Sequence, residues 1–199
     1  MGVNRDAAWT LLCQHTKTAS LRRHGLAVEA AMRRYANEFQ QDEEKWAVVG
    51  LLHDFDYESH PDPESHPEVG ARILENLGYP ADVIYAIKSH ADYLGLPRRT
   101  LLDKTLFAVD ELCGFITAVT LVRPGKLVSE VPVKSVKKKL KDKAFARTVC
   151  REDIRSGAKD LGITLDQHIA TVIEALTTVA EKLGLAGSES RVLKEEKIR

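Results

Sequence analysis

Five stretches of this chain set a histidine or an aspartate among hydrophobic residues, and imidazole and carboxylate are groups that bind divalent metal ions. They are His24 in LRRHGLAVEAA, the doublet His53-Asp54 in VVGLLHDFD, His66 in SHPEVGARIL, His90 in AIKSHADY and Asp110 in LFAVDELCGF. A polar residue on the apolar stripe of a helix is costly to desolvate unless it is paired or holds an ion. Imidazole with carboxylate suits borderline and hard divalent ions, and thiolates are missing from the set. His53 and Asp54 are neighbours, so on a helix they point about 100° apart. Near a helix end, however, they can straddle one ion. His24 and Asp110 would face the same point from other helices, and a packed bundle core would fix that geometry.

The elements that must place these residues read as helices, with strand alternation nearly absent. From Ser20 the stripe Leu21, Val28, Ala31/Met32, Tyr35 and Phe39 recurs at helical spacing and contains His24. Asp42 reads as the N-cap of a buried helix through EEKWAVVGLLH. DFDYESHPDPES reads as a surface loop, and Ser65 with Glu68 fits a capping box that would put His66 in the first turn of a helix reaching about Leu77. Pro80 opens the next helix, with Val83, Ile87 and His90 on one face. A long helix from about Thr100 to Leu121 carries Leu102, Leu106, Val109, Asp110 and Cys113. Beyond Arg123-Pro124-Gly125, residues 133–149 set Val136, Leu140 and Ala144 on one face and lysines on the others. A short helix at about 152–161 follows, stopping at Gly162. Thr164 and Gln167 then cap a helix carrying Ile169 through Leu183. The expected fold is all-α: a metal-binding helical bundle over 1–123, a helical extension over 124–199 packing on it, and a flexible tail from about 186.

Composition narrows the partners. The 29 basic and 29 acidic residues balance, which gives no global pull toward nucleic acid or an anionic membrane. Cys13, Cys113 and Cys150 are widely spaced and form no CxxC pair, which suits a reducing compartment. No apolar run approaches the ~20 residues that span a bilayer, and the start MGVNRDAAWTLL lacks signal-peptide features. The cytoplasm is the expected location, with no membrane partner. The lysine-rich run from Lys134 to Arg147 has an apolar face and matches no nucleic-acid-binding motif, so it reads as a solvated basic face rather than a nucleic-acid site. A homodimer stays open. His60 reads as a solvent-facing loop residue, and His15 and His168 match no pattern.

His24, His53-Asp54 and Asp110, in this order on separate helices, resemble the H…HD…D signature of the HD-domain metal-dependent phosphohydrolases over roughly residues 20 to 122. HPEVGARIL is similar to the HPxxGAxIL segment of the branches that hold two metals, and AIKSHADY to the AIxxH segment that follows it. The resemblance implies that His66 and His90 bind the second ion and that Asp54 bridges the two. Those branches include cyclic dinucleotide phosphodiesterases and symmetrical diadenosine tetraphosphate hydrolases. This chain departs from both. Phe55-Asp56-Tyr57-Glu58 stands where the first carries HDIGK, and Gly78-Tyr79-Pro80 precedes the AIKSH segment instead of following it. Glu111-Leu112-Cys113-Gly114 differs from the stretch that follows the last aspartate in the second. Substrate therefore does not carry over.

The implied cofactor is a pair of divalent transition-metal ions (Fe, Mn, Ni, Co or Zn), and the implied reaction is hydrolysis of a phosphoester or phosphoanhydride bond in a small phosphorylated metabolite or nucleotide. Paired ions would neutralise phosphoryl charge and acidify water. Beside the doublet, Asp56 or Glu58 could protonate the leaving oxygen or orient water. Lys104, Arg98 and Arg99 could steady phosphates. The same ligand set also occurs in di-iron oxygenases of the HD fold, and a regulatory module in which the metal only holds a nucleotide is a third reading.

Overall fold

A computed structural model describes residues 4–187. Among the described residues there are ten α-helices and no strand, so the all-α expectation holds. Among the described residues no helix is long and apolar enough to cross a membrane. In chain order the helices are α1 (Arg5–His15), α2 (Ala19–Glu38), α3 (Glu43–Leu52), α4 (Glu68–Asn76), α5 (Ala81–His90), α6 (Leu101–Leu121), α7 (Val133–Leu140), α8 (Arg151–Asp160), α9 (Leu165–Thr178) and α10 (Ala180–Leu183).

Local chemistry starts several of these helices. Asn4 and Asp42 accept the backbone N–H of Ala7 and Lys45, which satisfies donors that the first turns of α1 and α3 would leave open. Thr100 with Asp103, and Thr164 with Gln167, form reciprocal capping boxes on α6 and α9. The box expected at Ser65 and Glu68 does not form. α4 starts at Glu68 with Pro67 as N-cap, so His66 lies ahead of the helix. The residue before a proline is disfavoured in helical geometry, which keeps His66 out of the first turn. α1 was not anticipated, although Asn4 and the buried stripe Ala8, Leu11 and Leu12 mark it.

α3 is buried from Trp46 to Leu52 and runs against α2. Gly50 makes that approach possible, since a Cβ there would stand 2.9 Å from both Met32 Cγ and the Val28 carbonyl. α6 packs on α2, α5 and α8, and α9 on α2 and α6. One continuous apolar core runs from Ala8 to Leu185 and draws on both the 1–123 and the 124–199 segments.

Three helices also share a polar pin. Buried His168 on α9 donates from Nε2 to the Ala108 carbonyl of α6 at 2.8 Å, and its Nδ1 accepts the Tyr35 hydroxyl of α2 at 2.7 Å. Burial holds this imidazole neutral, lowering its pKa from 6.5 to about 4 against the smaller opposing effect of the Ala108 carbonyl.

The C-terminal half corrects three expectations. The basic helix ends at Leu140, leaving Ala144 outside it. Like charges four residues apart (Lys134 with Lys138, Lys137 with Lys141) weigh against further turns. The chain beyond is gathered by the Arg151 guanidinium, which donates to the carbonyls of Ala146 at 2.8 Å and Val149 at 2.6 Å, and also to that of Phe145. The single helix expected through Leu183 breaks at Val179, between α9 and α10. Near the end of the described chain, Leu185 is buried and its carbonyl accepts the Val128 N–H at 2.9 Å, so residues 185–187 are tied down. The tail expected from 186 otherwise lies outside the described residues.

The His168 pin predicts a pH signature. Its folded pKa is depressed, so its contribution is complete above about 6.5 and is lost as pH falls toward about 4. The difference is on the order of 3 kcal/mol. Chemical denaturation of the wild type and of His168→Gln across that window will show a flatter profile in the variant. Parallel profiles would contradict the pin.

Candidate metal centre

His53 follows α3 directly, fully buried, at the point where the helix stops. Its Nδ1–H donates to the Gly50 carbonyl at 2.8 Å, so in the neutral imidazole the lone pair lies on Nε2. That Nε2 is buried and has no hydrogen-bond partner, although it stands 3.3 Å from Asp110 Oδ1 and 3.4 Å from Asp54 Oδ2. α2 brings His24 to the same point, with Nε2 2.8 Å from Asp110 Oδ1, and α6 supplies Asp110 from the opposite side. The His24 and His53 rings meet edge-on with centroids 5.1 Å apart.

A second group lies on the far side of Asp54. Its Oδ1 is 3.2 Å from His66 Nε2 and 3.3 Å from His90 Nε2. His90 closes α5 and donates from Nδ1 to the Ile87 carbonyl, while His66 donates from Nδ1 to Asp56 Oδ1 at 2.8 Å. Both rings are thus held from behind and turn Nε2 toward Asp54. One ligand atom each from His24, His53 and Asp54 fall within 4.8 Å of one another, and the same holds for Asp54, His66 and His90. Asp54 belongs to both groups.

Asp56 has a different place from the one sequence suggested. It is buried, with Oδ1 on His66 and Oδ2 accepting the Gly70 N–H at 2.7 Å, so neither oxygen is free to serve a leaving group. It orients His66 and caps the start of α4. Gly70 is what lets the carboxylate in, because a Cβ there would lie 2.8 Å from Asp56 Cγ. Sequence gave the glycine as part of a motif, but its partner is fourteen residues away and only the fold joins them.

Glu58 is also committed elsewhere. It accepts the Thr18 hydroxyl at 2.6 Å and the backbone N–H groups of Lys17 and Thr18, ahead of α2. These bonds, led by the Thr18 hydroxyl, lower its pKa. Lys104 sits on α6 six residues before Asp110, roughly 9 Å along the axis and about a third of a turn away, so helical geometry sets the two on different faces. Arg98 lies 3.5 Å over the Phe107 ring and pairs with Asp92 at 3.2 Å, while Arg99 lies over Tyr85. His60 is partly buried rather than solvent-facing. Glu111 was read only as a departure from a family pattern. Its carboxyl is pushed up to about 7, first by burial and then by the charge of Asp110, against a hydrogen bond from the Cys150 backbone.

Electrostatics explains why these groups hold together. Burial opposes ionisation of Asp54, yet the charge of His53, with the imidazoles of His66 and His90 close by, outweighs it and keeps the acid well below the usual carboxylate range. Asp110 behaves likewise through His53 and His24. The same pairing lifts His53 well above 6.5, and His66 to about 9, despite their own burial. Two carboxylates this enclosed demand positive charge beside them. Protonated imidazoles supply it in the chain alone, and divalent ions would supply it with the imidazoles neutral. The orphaned lone pair of His53 and the shared carboxylate of Asp54 fit the second arrangement. Asp54 and Asp110 keep 25% and 21% of their side chains exposed, which leaves the centre reachable from solvent.

A match to a known family covers the same part of the chain. The HD domain family model matches residues 21–114, a span that contains all six converging side chains. No curated protein and no solved structure matches the chain. The segment from α2 to the middle of α6 is an HD domain.

Proposed function

We propose that this chain is a metal-dependent phosphohydrolase with two divalent ions, one held by His24, His53, Asp54 and Asp110 and the other by Asp54, His66 and His90. The observation that carries the proposal is the shared position of Asp54, whose carboxylate belongs to two separate groups of ligand atoms. Bound there, the ions supply positive charge for a phosphoryl group and acidify water for attack.

The chain's own part is positioning. Hydrogen bonds from Nδ1 to Gly50, Ile87 and Asp56 fix the tautomers of His53, His90 and His66, so their Nε2 atoms converge without reorganisation. Buried residues of α2, α3 and α6 close the site from beneath, while the exposed edges of Asp54 and Asp110 leave room for a small substrate. The substrate class is a small phosphorylated metabolite or nucleotide. Asp56 and Glu58, with their oxygens committed to His66 and Gly70 and to Lys17 and Thr18, are not placed to protonate a leaving group.

Purified protein is expected to carry about two transition-metal ions per chain by elemental analysis and to release phosphate from generic phosphoesters. One ion or none would defeat the two-metal claim. Oxygen consumption by iron-loaded protein without phosphate release would support the oxygenase reading instead. Asp54→Ala should lose both ions and the activity together. Asp56→Asn and Gly70→Ala should each weaken metal retention roughly 10–100-fold at the His66 and His90 position, since both act on the group that orients His66. Glu58→Ala should retain full metal, and loss of metal in that variant would show that its tether to α2 supports the site.

A further inference from the structure

Two tyrosines flank the centre and have no part in the account so far. Tyr57 follows Asp54 by three residues, and its N–H donates to the Asp54 carbonyl at 3.1 Å. Tyr93 follows His90 by the same interval, in the short 3-10 turn Asp92–Leu94. Both close on His66. The Tyr57 ring meets the His66 ring edge-on with centroids 5.3 Å apart, and the Tyr93 hydroxyl donates to the His66 carbonyl at 2.7 Å. Yet the two residues remain 39% and 54% exposed, and among the described residues these are the two exposed tyrosine, phenylalanine or tryptophan residues. Every other aromatic ring of the described chain is wholly or mostly covered.

An exposed aromatic ring forgoes the burial that usually stabilises it, so two beside one metal ligand call for a reason. Their placement is rigid rather than incidental. The hydroxyl of Tyr93 is anchored, which fixes the ring at little further entropic cost to a ligand, and Tyr57 is held by the backbone turn that begins at Asp54. A ligand approaching that rim gains from a neutral planar surface on the side away from its phosphate. The π-faces of nucleobases stack on tyrosine with little dependence on which base is present.

Taking the centre to be the phosphohydrolase proposed above, we infer that Tyr57 and Tyr93 form an aromatic rim that stacks on a planar base, so that the site selects nucleotides over aliphatic phosphoesters. The rim touches the part of the substrate that does not react. It sets specificity and leaves the ligand geometry to the histidines and aspartates.

Adenosine 5′-monophosphate and ribose 5-phosphate share a phosphate and a sugar and differ by the base, so the ratio of their dissociation constants isolates stacking. Equilibrium binding to the full-length, metal-containing protein should favour the nucleotide by about tenfold or more. Tyr57→Leu and Tyr93→Leu should each pull the ratio toward one, with metal content measured alongside. Tyr57→Phe should keep the wild-type ratio, because the ring makes the contact, and Tyr93→Phe should keep part of it, because that ring loses the hydrogen bond that anchors it. A wild-type ratio near one, binding of neither probe, or leucine variants that leave the ratio intact would overturn the rim. Phosphate release with a ratio near one would sink the rim and leave the hydrolase reading standing. A tenfold ratio without phosphate release from any substrate would do the reverse.

Discussion

Asp54 carries the structure's hardest constraint. Its carboxylate sits between two sets of imidazoles, 3.2 Å and 3.3 Å from His66 and His90 on one side and 3.4 Å from His53 on the other. Burial makes an isolated carboxylate there unfavourable, so the fold must keep several cationic or metal-binding groups within reach of it at once. Those groups come from α2, α3, α5, α6 and the segment before α4, and each of these elements is therefore placed to about the length of a hydrogen bond. The close seating of α3 on α2 at Gly50 and the pin of α2, α6 and α9 through His168 are the packing that holds them there.

The supporting hydrogen bonds divide the labour. In His53 and His90 the Nδ1–H is spent on a backbone carbonyl three residues earlier, a bond that the chain makes locally. His66 lies ahead of α4 and has no such carbonyl in place, and Asp56 takes that role from ten residues away. Asp56 in turn is anchored by Gly70, so the second half of the centre depends on a loop, a cap and a glycine acting together. That half is the more easily disturbed of the two.

Much of the centre was legible in the sequence because its members break a strong pattern. His24, His53 and Asp110 interrupt apolar helical stripes, and a polar interruption of that kind can be seen without a fold. The roles of Asp56 and Glu58 were not legible. Both are acids next to the doublet, and one dimension cannot show that Asp56 turns inward to Gly70 while Glu58 reaches back to Thr18. The capping box at Ser65 failed because the proline after His66 outweighed a side-chain pattern that matched well. Beyond Leu140 the apolar spacing continued in the sequence, but helical spacing alone does not reveal a guanidinium that collects the carbonyls of the following turns.

Crystallography of protein isolated without added metal, with diffraction recorded across metal absorption edges, tests the central claim most directly. The account predicts two anomalous peaks, one among His24, His53 and Asp110, the other between His66 and His90, with a different oxygen or the same oxygen of Asp54 reaching each. A single peak, or an Asp54 carboxylate that ligates only one of two ions, would contradict it.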